Sequence, residues 1–287
     1  MAYTTINKST SYFNTKLYTG NGTQRSISNI GFQPDWVWFK NRSASQPHCL
    51  VDAVRGVNNS LASNTTGAVD TDTNDLQAFQ SDGFQIGTNN RVNGNGNSMV
   101  AWNWKAGGTG SANTDGDINS TVSVNQTAGF SIVKYTGTDV AGATVGHGLN
   151  AVPKWIIVKR LAGSGYDWVV YHANDTAGLY LNSDGYNNDS SSNNIWFNGA
   201  APTSSVFSIG TDGRIGDATD FIAYCFAEKT GYSKFGKYIG NGNADGTFVY
   251  TGFKPAWVMF KRIDNSSNWH MQDLSLIHIS EPTRRRT

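Results

Sequence analysis

The stretch "PDWVWFK" (Pro34–Lys40) returns twice in the chain, as "PKWIIVK" (Pro153–Lys159) and "PAWVMFK" (Pro255–Lys261). Each copy places a Pro two residues before a Trp and closes an apolar run on Lys. Both alternate positions of the run are apolar, as expected of a β-strand buried on two sides. A Pro, which has no N–H to give, is tolerated where a strand begins. The likeness extends outward: "LYTGNGTQRSISNIGFQPDWVWFKNR" from Leu17, "KYTGTDVAGATVGHGLNAVPKWIIVKR" from Lys134 and "KYIGNGNADGTFVYTGFKPAWVMFKR" from Lys237 share an opening Tyr and Gly, a Gly-apolar pair and the Pro–Trp run. Trp36, Trp155 and Trp257 are 119 and then 102 residues apart. That period is the length of a small domain, not of a solenoid turn.

A second motif follows the Trp run in the first two copies. "SDGFQIGT" (Ser81–Thr88) precedes "MVAWNWKAG", and "SSVFSIGT" (Ser204–Thr211) precedes "FIAYCFAEK". Val100, Ala101, Trp102 and Trp104 thereby align with Ile222, Ala223, Tyr224 and Phe226, and Cys225 stands opposite Asn103. "GFQIG" and "VFSIG" alternate apolar with polar, which predicts strands with one wet face. No segment of a dozen residues carries helical periodicity with a capping box. The expected fold is all-β, built of tandem β-sandwich or jelly-roll-like modules of about 100 residues. Module 1 is expected over 1–106 and module 2 over 122–230, joined by a flexible Gly/Ser/Asn-rich linker over 107–121. A third, truncated module is expected over 231–273, with strands held by module 2 or partly ordered.

The end of the chain, "LSLIHISEPTRRRT" (Leu274–Thr287), differs from the rest in composition. Leu274–Arg284 looks like a transposase-type sequencing adapter read in frame, so 274–287 are expected to form a disordered tail outside the repeat.

Among the 287 residues, 12% are aromatic and only 15% charged, against roughly 25% charged in an ordinary soluble domain. The formal charge is +1, and nothing forms a basic field for nucleic acid. The N-terminus lacks a secretory h-region and no apolar run is long enough to span a bilayer, so neither a Sec-type leader nor membrane insertion is expected. Cys49 and Cys225 are too few for a disulfide framework and lack C-x-x-C spacing; both are expected as free thiols.

Chemistry-bearing patterns are sparse. His48, His147, His172, His270 and His278 stand alone, without paired ligand spacing. "DTDTND" (Asp70–Asp75) begins like a calcium loop but lacks the Gly at its sixth position and the Glu at its twelfth, so a solvated loop is expected. The Gly-rich "GTGSAN" and "GNGNADG" lack the residues of a P-loop or a dinucleotide site. No metal, cofactor or catalytic residue is assigned, although two carboxylates brought together by folding would be invisible in the sequence. Trp36, Trp155 and Trp257 read as core. The loop aromatics Tyr166, Tyr186 and Trp196 are the candidate ligand-binding residues, since flat aromatic faces suit sugar rings.

"FNTKLYTGNGTQRSISNIGFQPDWVWFK", "FIAYCFAEKTGYSKFGKYIGNGNADGTFVYTGFKPAWVMFKR" and the "SDGFQIG…VAWNWKAG" pair resemble an uncharacterised repeat domain of marine phage and viral-metagenome proteins. The resemblance covers nearly all of residues 12–273. It implies a virion-associated protein of tail or tail-fibre type, made in the host cytoplasm without a leader. Implied partners are other virion proteins, with homo-oligomerisation in the particle; no catalytic residues are carried over. Two functions from different classes are compatible with it. One is a non-enzymatic structural or attachment protein whose linked modules gain avidity for host-surface glycans or proteins. The other is a polysaccharide-degrading tail enzyme or its carbohydrate-binding accessory module.

Overall fold

Alternation with a period of two organises the chain, because successive side chains of a strand point to opposite faces. In the computed structural model, which describes residues 3–185 and 197–277, the first copy contributes β1 (Phe13–Thr19), β2 (Arg25–Ser28), β3 (Trp36–Asn41), β4 (Cys49–Asp52), β5 (Asn59–Ser60), β6 (Asp70–Thr71), β7 (Leu76–Gln80), β8 (Gly83–Ile86), the helical turn α1 (Asn90–Asn93) and β9 (Ser98–Trp104). The second contributes β10 (Ser111–Asn113), β11 (Ser120–Asn125), β12 (Phe130–Thr136), β13 (Thr144–Gly146), β14 (Pro153–Arg160), β15 (Val169–His172), β16 (Asp175–Tyr180), β17 (Val206–Ser208) and β18 (Asp220–Ala227). The third contributes β19 (Trp257–Phe260), β20 (His270–Asp273) and the helical turn α2 (Leu274–Ile277). The fold is all-β, and every strand pair of its sheets is antiparallel.

Strand order recurs between the copies. The main sheet of the first runs β1-β9-β3-β4, and the seven-stranded sheet of the second, β10-β11-β12-β18-β14-β15-β16, contains β12-β18-β14-β15 in the corresponding order. Register recurs too: Trp36 lies between Trp104 and Asp52, and Trp155 between Phe226 and His172. Each main sheet is covered on one face by a smaller one, β2-β8-β7 in the first copy and β13-β17 in the second.

The other faces of the two main sheets meet each other. Trp36, Trp38, Val100, Trp102 and Trp104 of the first copy share one core cluster with Phe130, Ile132, Trp155, Ile157, Ile222, Tyr224 and Phe226 of the second. Val37, Phe39 and Ala101 point the opposite way, into the first copy's private core, and Ile156, Val158, Ala223 and Cys225 do so in the second. The result is four layers with an aromatic seam in the middle. Trp36 stacks on Tyr224 with ring centroids 4.3 Å apart and 19° between planes, a geometry that adds attraction beyond area burial. Cys49 and Cys225 are both buried and unbridged.

Two expectations meet a different outcome, and the third copy forms strands over part of its length. Residues 107–121 are not a flexible linker: Ser111–Asn113 pairs with Ser120–Val122 as an edge strand. Their glycines serve close approach, since a Cβ on Gly107 would lie 2.9 Å from the carbonyl oxygen of Val124 and one on Gly110 3.0 Å from that of Val122. In 237–273, strands form only at Trp257–Phe260 and His270–Asp273, because the partners that β1 and β2 find in β9 and β8 have no counterpart among the described residues. Leu274–Ile277, expected to begin a disordered tail, forms a helical turn with Leu276 packed on the seam cluster. Residues 278–287 lie outside the described residues.

A buried ion pair of the first copy is hydrogen-bonded across the seam to the second. Asp52 accepts from Arg55 Nε at 2.6 Å and from Tyr224 Oη of the second copy at 2.8 Å, and Arg55 also donates to the carbonyls of Leu50 and Asn59. Burial of such a pair is tolerable because every charged atom has a partner, and removing one partner strands the other. Asp52→Ala is therefore expected to lower the unfolding free energy by about 3–5 kcal/mol, and Tyr224→Phe, which removes a hydrogen bond to a charged group, by about 1.5–3 kcal/mol. In urea titrations both variants should still unfold both copies in one transition, since their cores are shared.

Candidate functional site

Among the described residues, a loop and a groove each combine aromatic side chains with access to solvent. The first is the loop between β14 and β15, which carries Tyr166. The Tyr166 ring is half-buried and lies under the Arg160 guanidinium, 4.1 Å from its centre, a cation–π arrangement. Arg160 is held in turn by the carbonyls of Ala162 and Gly213 and by an ion pair with Asp217. The Tyr166 carbonyl accepts from Lys159 Nζ at 2.7 Å, and the same ammonium reaches the Thr66 carbonyl of the first copy at 3.4 Å. Lys159 is fully buried, and that desolvation pulls its pKa down to about 8. The loop is thus braced from both copies, with one face of Tyr166 taken by Arg160. Tyr186 and Trp196 lie outside the described residues.

The second place is the open end of the aromatic seam. A groove of about 480 Å³ runs between the two main sheets and the β19–β20 hairpin, walled by Phe13, Trp104, Phe130, Trp155, Phe226 and Trp257. Trp104 meets Phe13 at 4.8 Å and Trp257 edge-on at 5.8 Å between ring centroids. Trp155 and Trp257, read in the sequence as core, therefore also wall this groove. Tyr166 lines neither this groove nor the smaller cavity of about 270 Å³ on the other flank of the hairpin. The groove residues come from β1, β9, β12, β14, β18 and β19, and only the pairing of strands brings them together. The signals for them in the sequence were the recurrence of Trp155 and Trp257 in the Pro–Trp runs and of a large aromatic at Trp104 and Phe226.

Among the described residues lining the groove, Asp273 is the one carboxylate. It accepts from Thr15 Oγ1 at 2.5 Å and Trp102 Nε1 at 3.3 Å, which ties the hairpin to the first copy. Asp273 faces Trp257 as Asp52 faces Trp36, and Trp102 aligns with Tyr224. The same polar contact is therefore made twice, from the acid of one copy to the aromatic donor of another.

Other chemical groups are engaged structurally. Asp70 and Asp75 of the "DTDTND" loop both bind Arg91, and Asp72 accepts from Asn89. Buried His147 contacts the Leu149 N–H and the Thr203 carbonyl. No group of three or more His, Cys, Asp or Glu among the described residues could hold a metal ion.

His48 accepts the Trp38 Nε1 proton on Nδ1 at 2.8 Å, and burial followed by the nearby Lys40 charge lowers its pKa to about 4. A neutral imidazole is required for that bond. A folded pKa below the unfolded value near 6.5 means that the unfolded chain takes up the proton first as pH falls. Stability from this group is complete above pH 6.5 and is lost between 6.5 and about 4, by up to about 3 kcal/mol. Urea titrations across that window should show the slope in the native chain and a shallower one in His48→Gln, whose amide oxygen can accept from Trp38 at any pH.

A family model described as a domain of unknown function, DUF7483, matches residues 8–283, spanning all three copies of the repeat. No curated protein and no solved structure matches the chain.

Proposed function

The chain belongs to the family of the DUF7483 domain, a domain of unknown function, and we propose that it is a non-enzymatic virion component of tail or tail-fibre type that serves structure and attachment. One observation carries this reading: two repeat copies share one aromatic core, and the buried Asp52–Arg55 pair of the first is hydrogen-bonded to Tyr224 of the second. A body with a shared core holds its loops at fixed spacing, which suits a part that transmits load and presents weak binding sites together. The resemblance to phage repeat proteins supports the virion setting.

The braced loop bearing Tyr166 is the described candidate for contact with a host-surface glycan, and the stretch bearing Tyr186 and Trp196 follows it in sequence. Arg160 beneath the ring fixes its orientation, so a sugar would meet a preorganised face. Residues 1–273 on a bacterial-polysaccharide array, with products followed by mass spectrometry, test the proposal. Binding without cleavage is expected, weakened about tenfold or more in Tyr166→Ala with the β-sheet spectrum unchanged. New oligosaccharide ends would overturn it in favour of a polysaccharide-degrading tail enzyme.

A further inference from the structure

The smaller cavity, of about 270 Å³, is bordered by all three copies of the repeat: by Trp38, His48 and Ser63 of the first, by Leu181 of the second and by Met259 and Trp269 of the hairpin. Among the described residues that line it there is no Asp, Glu, Lys or Arg. An ion entering it would lose hydration without meeting an opposite charge, so the cavity suits a neutral occupant. Its volume lies below the roughly 300–1,000 Å³ of pockets that take drug-sized ligands, which limits that occupant to about one ring.

Polar groups without partners face this space. Trp38 Nε1 donates to His48 Nδ1 at 2.8 Å. A neutral imidazole that accepts on one nitrogen carries its proton on the other, and the His48 Nε2–H has no acceptor among the described residues. Ser63 is only 4% exposed, yet its hydroxyl makes no hydrogen bond among the described residues. Unlike the Ser131 hydroxyl it is not sealed from solvent either, and the cavity is what Ser63 lines. Asn64 Oδ1 is taken by the His48 backbone N–H at 3.0 Å, which leaves its Nδ2 as a further donor. Opposite these groups stand apolar surfaces: Met259, Met271 and the Trp269 ring, which is held by donation of its Nε1 to the Tyr180 carbonyl at 2.9 Å.

We propose that this cavity is a binding site for one neutral sugar residue, a hexose or an N-acetylhexosamine. Such a residue has the two-sided chemistry that the cavity has, with hydroxyls at its rim and a face of C–H groups. The hydroxyls meet the His48 Nε2–H, the Ser63 hydroxyl and the Asn64 amide, and the C–H face rests on Trp269 beside the two thioethers. The site does not use Tyr166, so it stands or falls independently of contact through that loop.

The test titrates the full chain, isotope-labelled on nitrogen, with methyl glucoside, methyl galactoside, methyl mannoside and N-acetylglucosamine, reading the indole N–H signals. Saturable binding of at least one of these sugars is expected, with a Kd of about 1 mM. The Trp38 signal should move downfield, because engaging the His48 Nε2–H strengthens the bond that Trp38 donates to the same ring. The Trp269 signal should move with the same Kd. Ser63→Ala should weaken binding about fivefold and leave the urea midpoint undiminished, since the hydroxyl removed has no partner in the fold. Glucuronate, which carries a charge, should bind about tenfold more weakly or worse. No saturable shift at the two indoles with any of the four sugars, equal binding by Ser63→Ala, or a preference for glucuronate would overturn the proposal. A lowered urea midpoint in Ser63→Ala would overturn it too, by assigning the hydroxyl to the fold.

Discussion

The structure depends on the packing of one aromatic sheet face against another of its own kind. Each Trp-led strand is apolar on both sides, so each main sheet must be covered twice. A small sheet from the same copy covers one side, and the main sheet of the other copy covers the second. Remove the seam and Trp36, Trp38, Trp102 and Trp104 face water on one side while Tyr224 and Phe226 do so on the other. The position of the C-terminal hairpin, the groove and the bracing of the Tyr166 loop all follow from that contact.

Polar groups in the seam make the packing specific. Aromatic area alone would permit the sheets to slide, but Asp52 must meet both Arg55 and Tyr224 to be tolerated where it lies. Asp273 repeats the device at the edge by accepting from Trp102 and Thr15. Trp36 Nε1, by contrast, is buried and finds no hydrogen-bond partner among the described residues. A cost of about 1–3 kcal/mol for such a group is set against the stacking of its ring on Tyr224.

Strand identity was legible in the sequence because alternation and the Pro–Trp run are local signals. The doubly apolar runs at Trp36 and Trp155 announced burial on both faces, and the one wet face of "GFQIG" is seen where half-exposed Gln85 separates buried Phe84 and Ile86. What lay against each face was not legible, since a strand pattern records that a side is covered and not by which segment. The glycines of 107–121 misled for a related reason: Gly is used both where a chain is loose and where two backbones nearly touch, and composition does not distinguish the two. The groove residues were unreadable as a group because six strands contribute to it. For the candidate sites the sequence pointed to loop aromatics such as Tyr166, while the larger aromatic concavity arises from rings whose local pattern is that of core.

The seam also bears on how such a chain arises. The positions that build it in the first copy, Trp36, Trp38, Trp102 and Trp104, are those that build it in the second, Trp155, Ile157, Tyr224 and Phe226. Like therefore packs on like. A gene encoding a single copy would yield a protein with that face bare, and its ready-made cover would be another molecule of itself. Two copies on one polypeptide therefore pack as the two subunits of a homodimer would, with Tyr224 standing where the first copy has Trp102 and His172 where it has Asp52.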